Sequence, residues 1–85
     1  MKVRVLYFAS LRESLGVDRE EVELPPGVAD AGALRAWLRG RGGRWAEALA
    51  EQRAVRVAVD QSMAEPGTRL APGAEVAFFP PVTGG

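Results

Sequence analysis

The C-terminal end of this 85-residue sequence holds the group best suited to chemistry. No side chain after Glu75 is ionisable, so the only charge beyond that residue is the terminal carboxylate of Gly85. Residues 80–85 can reach about 20 Å when fully extended. Pro80 and Pro81 stiffen the start of this arm, whereas Val82, Thr83, Gly84 and Gly85 complete it with a narrow tip. The pattern predicts a slim arm that inserts its terminal carboxylate into a channel of another protein.

A frayed terminus that happens to end in glycine is the competing interpretation of the same residues. Glycine is frequent here, with 10 among 85 residues, so a terminal Gly-Gly has limited weight on its own. The residues of the arm leave both interpretations open.

The composition excludes several kinds of chemistry. The sequence contains no Cys and no His, so it has no thiolate nucleophile, no thiolate metal ligand and no imidazole base. We therefore expect no metal site. Eleven basic and eleven acidic side chains cancel, which gives no overall field that favours nucleic acid or a membrane surface.

The length predicts one small domain. A chain of 85 residues has room for a modest core and little for a deep cavity as well. No apolar run approaches the roughly 20 residues of a membrane helix, and no signal peptide is visible. We expect a cytoplasmic protein with a folded domain over residues 1–79 and a flexible tail over residues 80–85.

Alternating and helical hydrophobic patterns predict an α+β fold. We expect a single sheet covered by helices on one face, with the first and last strands in its middle. Ser10 is the predicted cap of the first helix and Asp30 that of the second, and Gly16 is placed to end the first. The predicted strands cover residues 2–8, 17–24, 55–59 and 75–79, and the predicted helices cover residues 10–15, 30–39 and 44–51.

Apolar side chains are predicted on the open face of this sheet. Phe8 and Phe79 alternate with positions that face the helices, and Met63 follows the third strand. Exposed apolar residues clustered in this way usually mark an interface. Coverage by loops, which would make these side chains part of the core, is the alternative.

Two charged clusters are interpreted as ordinary surface. Arg39, Arg41 and Arg44 lie in an arginine-glycine stretch that is typical of some RNA-binding segments, but a solvated helix boundary is the simpler explanation. The acidic run that includes Glu20 is explained by solvent-facing charges on an edge strand.

The sequence resembles the MoaD family, the small subunits of molybdopterin synthase. The similarity spans nearly the whole chain, and the ending is its most specific part. Asp60, where the family often has Asn, and a less acidic turn before the last strand are departures outside the tail. The matching segments are Val5-Leu6-Tyr7-Phe8-Ala9, Val57-Ala58-Val59-Asp60-Gln61 and Phe78-Phe79-Pro80-Pro81-Val82-Thr83-Gly84-Gly85.

The resemblance implies a ubiquitin-like β-grasp fold, a mixed sheet with an extended C-terminal tail. It also implies that a MoeB-like adenylating enzyme uses ATP to join Gly85 to AMP, and that a sulfur-donor system then converts Gly85 to a thiocarboxylate. A MoaE-like large subunit would receive the tail in a heterotetramer, where the sulfur builds the dithiolene of molybdopterin. The small subunit would bind no permanent cofactor and would not be catalytic alone. The same face, with Phe8, Met63 and Phe79, would dock both partners.

Two alternatives remain open at this point. A Gly-Gly sulfur carrier for thiamine synthesis or tRNA thiolation would share the chemistry, although such carriers generally lack the Phe-Phe-Pro-Pro stretch. A non-catalytic β-grasp interaction module would share only the fold.

Overall fold

Strands and helices account for most of the folded part of the chain. The computed structural model describes residues 1–81. In chain order, its elements are β1 (Lys2–Tyr7), α1 (Ala9–Leu15), β2 (Arg19–Glu23), α2 (Ala31–Arg39), α3 (Gly43–Ala48), β3 (Arg56–Val59), β4 (Ser62–Ala64) and β5 (Glu75–Phe79).

The five strands form one mixed sheet in the order β2-β1-β5-β3-β4. β1 pairs antiparallel with β2 and parallel with β5, and β3 pairs antiparallel with both β5 and β4. The first and last strands of the chain therefore lie inside the sheet, as the sequence predicts. This α+β architecture confirms the predicted fold class.

The core lies between one face of the sheet and the helices. Alternate residues of β1 point to this face, because successive side chains of a strand point to opposite sides. They pack with leucines of α1 and α2 and with Leu49, which directly follows α3. The partly buried tryptophans Trp37 and Trp45 pack against this core. Its most deeply buried side chains are Tyr7, Phe78, Leu34, Leu38, Leu49, Val3, Val5 and Val76.

Local signals set two of the helix ends as predicted. The carboxylate of Asp30 accepts a hydrogen bond of 2.8 Å from the N–H of Ala33, which caps α2. Gly16 ends α1 in the left-handed region at φ 73°, where a residue without Cβ is favoured.

Other boundaries differ from the predictions. Ser10 does not cap α1, because the helix begins at Ala9 and its N-cap position is Phe8, which forms no side-chain cap. β2 and α3 are shorter than predicted: β2 begins at Arg19 instead of residue 17 and ends one residue earlier, and α3 ends at Ala48 instead of residue 51. The three-residue strand β4 was missed, because a strand of that length is too short to show an alternation.

Candidate docking face and tail base

The C-terminal tail leaves from the central strand of the sheet. β5 is bonded to β1 on one side and β3 on the other, and the ring of Phe78 stacks on Tyr7 with 6.4 Å between centroids. Pro80 and Pro81, both half-buried, follow β5 and cannot extend its ladder as donors. The tail therefore starts from a firmly held point. The predicted insertion residues Val82, Thr83, Gly84 and Gly85 lie outside the described residues.

Strand pairing brings a row of small and apolar side chains together on the open face. Leu6 is opposite Ala77, Ala77 is opposite Ala58, and Ala58 is opposite Met63. Residues directly opposite each other share a face of the sheet, so the row crosses four strands, or about 14 Å at the usual strand spacing. We call the surface formed by Leu6, Phe8, Ala58, Met63, Ala77 and Phe79 the docking face.

The three predicted interface residues differ in exposure. Phe8 is 45% exposed and Met63 is 60% exposed, whereas Phe79, opposite Arg56 on β3, is half-buried. Loops therefore do not cover this face, which favours the interface interpretation of these residues over the core interpretation.

Charged side chains of both signs lie at the rim of the docking face. Arg12 and Arg19 line a groove with Phe8 and Leu6, and the carboxylates Asp18 and Glu75 line the same groove. The ion pair of Arg19 with Asp18 is long, at 3.6 Å, and contributes little at such an exposed position. The face thus combines an apolar centre with a charged rim.

A polar cluster lies on the other, helix-covered side of the sheet. The Tyr7 hydroxyl donates to Glu20 at 2.8 Å, and Arg41 donates two hydrogen bonds of 2.8 and 3.0 Å to the same carboxylate. Trp45 donates its indole N–H to the Tyr7 hydroxyl at 3.2 Å. The Arg41 guanidinium also lies over the rings of Trp37 and Trp45, at 5.5 and 5.1 Å from their centroids. This cluster ties β1 and β2 to α2, α3 and the connection between those helices.

The cluster shifts the ionisation of its members. Burial raises the pKa of Tyr7 well above its ordinary value, and the nearby Glu20 adds to that rise. For Glu20, burial acts to raise the pKa, but hydrogen bonds from Arg41 and Tyr7 outweigh it and leave the pKa below its ordinary value. The hydrogen bonds to Glu20 raise the pKa of Arg41. The group is therefore a charged pair with a neutral phenol at neutral pH.

The prediction of simple solvent-facing charges is wrong for Glu20, which is partly buried, and it missed the ion pair that the exposed Arg41 makes with this carboxylate across 21 positions of the chain. Nothing in either local segment could reveal this partnership, since it depends on the placement of β2 beside the α2–α3 connection. Arg39 is also partly covered, and it forms an ion pair of 3.5 Å with the exposed Glu51.

The described residues hold few groups suited to catalysis by themselves. Within residues 1–81, no polar or charged side chain is fully buried. The same part of the chain contains no group of three or more His, Cys, Asp or Glu side chains arranged for a metal ion. None of the helices described is long and apolar enough to span a membrane.

Comparison with known proteins identifies the family of this chain. The mixed sheet with helices on one face is that of ubiquitin-like β-grasp proteins, and the chain belongs to the ThiS family, whose model matches residues 5–85. It is 42% identical over 83 residues to the molybdopterin synthase sulfur carrier subunit of Haemophilus influenzae. That alignment covers 98% of this chain and 99% of the relative.

Solved structures show the same fold. A protein from Pyrococcus furiosus described as molybdopterin converting factor subunit 1 superposes with a TM-score of 0.79 at 34% identity, over 96% of this chain and 99% of that chain. A chain in the complex of subunits 1 and 2 of molybdopterin-converting factor from Helicobacter pylori superposes with a TM-score of 0.66 at 25% identity, over the full length of both chains. The predicted resemblance and β-grasp fold are therefore confirmed.

Proposed function

We propose that this protein is the sulfur carrier subunit of a molybdopterin synthase. The observation that carries the proposal is the similarity to a protein of that name over 99% of the relative's length, at 42% identity. The match to the family extends through residue 85, so it includes the Gly-Gly end on which the proposed chemistry depends.

The proposed chemistry activates the Gly85 carboxylate, which is a poor electrophile as it stands. An oxygen of this carboxylate attacks the α-phosphorus of ATP on a MoeB-like adenylating enzyme, and pyrophosphate leaves. A hydrosulfide-level nucleophile from a separate sulfur-donor system then attacks the acyl carbon and displaces AMP. The product is a thiocarboxylate at Gly85, formed without a change in oxidation state.

The thiocarboxylate then donates its sulfur to a pterin precursor. The thiocarboxylate sulfur attacks a carbon of the precursor and displaces an oxygen leaving group from it, which forms a thioester with Gly85. Water then hydrolyses the acyl C–S bond, so that the sulfur stays on the precursor and Gly85 returns to a carboxylate. Repeated transfers build the dithiolene that later binds molybdenum. Because the sequence has neither Cys nor His, we assign the acid, base and thiol groups of these steps to the partner proteins.

A MoaE-like large subunit is the proposed receiver of the tail. The H. pylori complex joins subunits 1 and 2 of its molybdopterin-converting factor, which supports a partner of this kind. We assign its docking to the exposed Phe8 and Met63 and to Phe79, and we assign channel entry to the tail from Pro80 onward. The MoeB-like enzyme uses the same face at a different stage of the cycle, and the synthase is a heterotetramer with two copies of each subunit.

Intact-mass measurement tests the proposal. The full chain is incubated with ATP, a MoeB-like enzyme and a sulfur source, and the expected result is the mass gain of replacing one oxygen by sulfur, localised to the C-terminal peptide. A chain lacking Gly85 is the matched control and should gain nothing. An unchanged mass of the full chain, with an enzyme shown to be active on a known carrier, would contradict the carrier role and favour an interaction module.

The acceptor decides between pathways that share the carrier chemistry. The thiocarboxylated chain is offered separately to a molybdopterin synthase large subunit and to the acceptor enzymes of thiamine synthesis and tRNA thiolation. We expect sulfur transfer to the pterin precursor only. Transfer to either of the other acceptors instead would assign the protein to that pathway.

A further inference from the structure

We propose that the free edge of β4 accepts an extended segment of the large subunit, which adds a strand to the sheet and inserts an apolar side chain into a groove beside β4. This inference rests on the proposed function, because it takes the large subunit as the partner. The edge of β4 would be a further contact area for the large subunit, in addition to the docking face and the tail.

The two edges of the sheet differ in their chemistry. β2 forms one edge, and four of its five residues in the sequence REEVE are charged. β4 forms the other edge, and its three residues Ser62, Met63 and Ala64 carry no charge. An edge strand presents unpaired backbone N–H and C=O groups, and charged side chains are a common means of preventing another strand from pairing there. β2 carries that protection, whereas β4 lacks it.

The hairpin that carries β4 is held in a fixed position despite local strain. Its turn residues Asp60 and Gln61 have φ values of 49° and 69°, a region that residues other than glycine seldom adopt. The backbone N–H of Asp60 donates to the carbonyl of Glu75 at 2.8 Å, and the Asp60 carboxylate accepts from the N–H of Glu75 at 3.0 Å. Strain of this kind persists only where surrounding contacts hold it, and it concentrates at functional positions. The edge is therefore preorganised for pairing.

A groove of about 230 Å³ lies next to this edge on the helix side of the sheet. Val57, Ala64 and Phe78 line it, and the first two are paired across β3 and β4. Gly32 of α2 and Pro66 form its other wall, where a Cβ on Gly32 would lie only 3.1 Å from the Pro66 side chain. The groove thus has apolar side chains in its lining, and Gly32 and Pro66 lie close together in its wall. These features are expected of a pocket that receives one side chain.

Strand alternation connects the groove to the docking face. Met63 is paired with Ala58 of the docking face and also borders the groove, and its neighbour Ala64 lines the groove from the helix side of the strand. A strand added along β4 would alternate in the same way. One set of its side chains would contact Met63 and the docking face, and the other would point into the groove. Backbone pairing of this kind supplies affinity, and such a pocket supplies specificity.

The charges around the groove indicate what the added segment carries. The guanidinium of Arg35, which also lines the groove, already donates to the carbonyls of Leu49, Ala50 and Arg53. Arg56, at the rim, forms no ion pair with any of residues 1–81 within 4.0 Å. We therefore infer a segment with an aliphatic residue for the groove and a carboxylate placed to pair with Arg56.

Hydrogen exchange of the unaltered complex tests strand addition directly. The full chain is compared alone and with the large subunit in excess, and exchange is followed in the peptide that contains Ser62–Ala64. We expect amide exchange there to slow by about tenfold or more on binding, since added backbone hydrogen bonds must open before exchange. The β2 strand Arg19–Glu23 is the internal control and should change little.

A groove-filling variant tests the side-chain pocket. Ala64→Phe should weaken large-subunit binding by about tenfold, the effect expected for loss of one anchoring contact. Ala36→Phe is the matched control, because Ala36 is an exposed residue of α2 that lines no part of the groove. Thermal unfolding of both variants shows whether each is folded. If Ala64→Phe does not fold, the exchange experiment still tests the inference, because it uses the unaltered protein.

Three results would overturn the inference. If the large subunit binds tightly but amide exchange in β4 is unchanged, no strand is added. If Ala64→Phe binds the large subunit as tightly as Ala36→Phe does, the groove does not receive a side chain of the partner. Slower β4 exchange at rising concentrations of this chain alone, together with a dimer mass, would assign the edge to a second copy. By contrast, absence of any binding between the unaltered proteins would contradict the proposed function itself, and the inference with it.

Discussion

The two faces of the sheet divide stability from recognition, and adjacent residues illustrate the division. Tyr7 is 1% exposed on the helix side, whereas Phe8 is 45% exposed at the end of the same strand. Both are aromatic, and both contribute to the groove that contains Arg12 and Arg19. Tyr7 is nevertheless enclosed, since it stacks on Phe78 and bonds to Glu20, whereas Phe8 stays largely open to solvent.

This difference indicates how so small a domain serves as a platform for its tail. The buried hydrophobic cluster lies on the helix-covered face, and Ala77 is the one docking-face residue that is buried, so most of the open face can remain apolar without being needed for folding. Because β5 has residues on both faces and leads directly into the tail, the core holds the tail base and the docking face in one fixed relation. Variants that affect only one face test whether the two roles are separable.

The largest expected effect comes from the tail. Deletion of Gly85, or addition of one residue after it, should abolish sulfur transfer, because the reacting carboxyl group is then lost or displaced by one residue. Unfolding temperature should stay unchanged, since the core lies within residues 1–81. Thiocarboxylate formation by mass and pterin conversion by a chromatographic assay measure the first effect, and calorimetry measures the second. Full dithiolene synthesis by an extended chain would refute the assignment of Gly85.

Tyr7→Ala should produce the largest loss of stability among single changes in β1. Removal of a buried aromatic side chain typically costs about 3–5 kcal/mol, which is a large part of the total for a small domain. The hydroxyl bonds to Glu20 and Trp45 are lost as well. Urea unfolding measures the free energy, and Tyr7→Phe separates the ring from the hydroxyl by retaining the packing. A loss below about 1 kcal/mol for Tyr7→Ala would mean that the helix-covered face is not the source of stability.

The fold was largely predictable because its strongest signals are local. Alternation in β1 and β5, the Asp30 cap and Gly16 at a helix end each determine their own segment, and the structure agrees with all four. β4 escaped prediction since its position comes from pairing with β3 rather than from its own three residues. Short elements that depend on a neighbouring strand carry little sequence signal.

The candidate site was predictable in part, for a related reason. Alternation placed Phe8 and Phe79 on one face, but only the three-dimensional register shows that Met63 shares the row. The partial burial of Phe79 also depends on neighbouring strands. The Glu20–Arg41 pair was invisible in the sequence, because its members lie on separate elements whose approach is set by the core.

Phe8→Ala should weaken binding to the large subunit without affecting the stability of the domain, and so separate the roles of the two faces of the sheet. Stability should change by no more than about 0.5 kcal/mol, as is usual for an exposed residue. Binding to the large subunit should weaken by about tenfold, since loss of a central aromatic anchor commonly costs more than 1 kcal/mol. Titration calorimetry measures the affinity and urea unfolding measures the stability. Unchanged affinity, together with normal affinity of Met63→Ala, would remove the docking face from the proposed interface.

The smallest expected effect concerns pH and belongs to the helix-covered side. The Glu20 carboxyl has a pKa below its ordinary value in the folded state. Its contribution to stability is therefore fully present above the ordinary glutamate pKa of about 4.3. That contribution is lost as the pH falls through the folded-state pKa. Glu20→Gln should therefore be less stable than the unaltered protein at pH 7, by about 1 kcal/mol or less because the pair is partly exposed.

At pH 3 the difference should shrink, because this pH lies below the ordinary glutamate pKa of about 4.3, where the contribution of the carboxylate to stability declines as the pH approaches the lower folded-state pKa. Urea unfolding of both proteins at the two pH values measures the change. Glu21→Gln is the matched control, since Glu21 is exposed, lies in the same strand and forms no ion pair with the described residues. A difference between Glu20→Gln and the unaltered protein that is equal at both pH values would show that the carboxylate acts as a neutral hydrogen-bond acceptor, and that the charge of Arg41 contributes nothing to holding β2 against the helices.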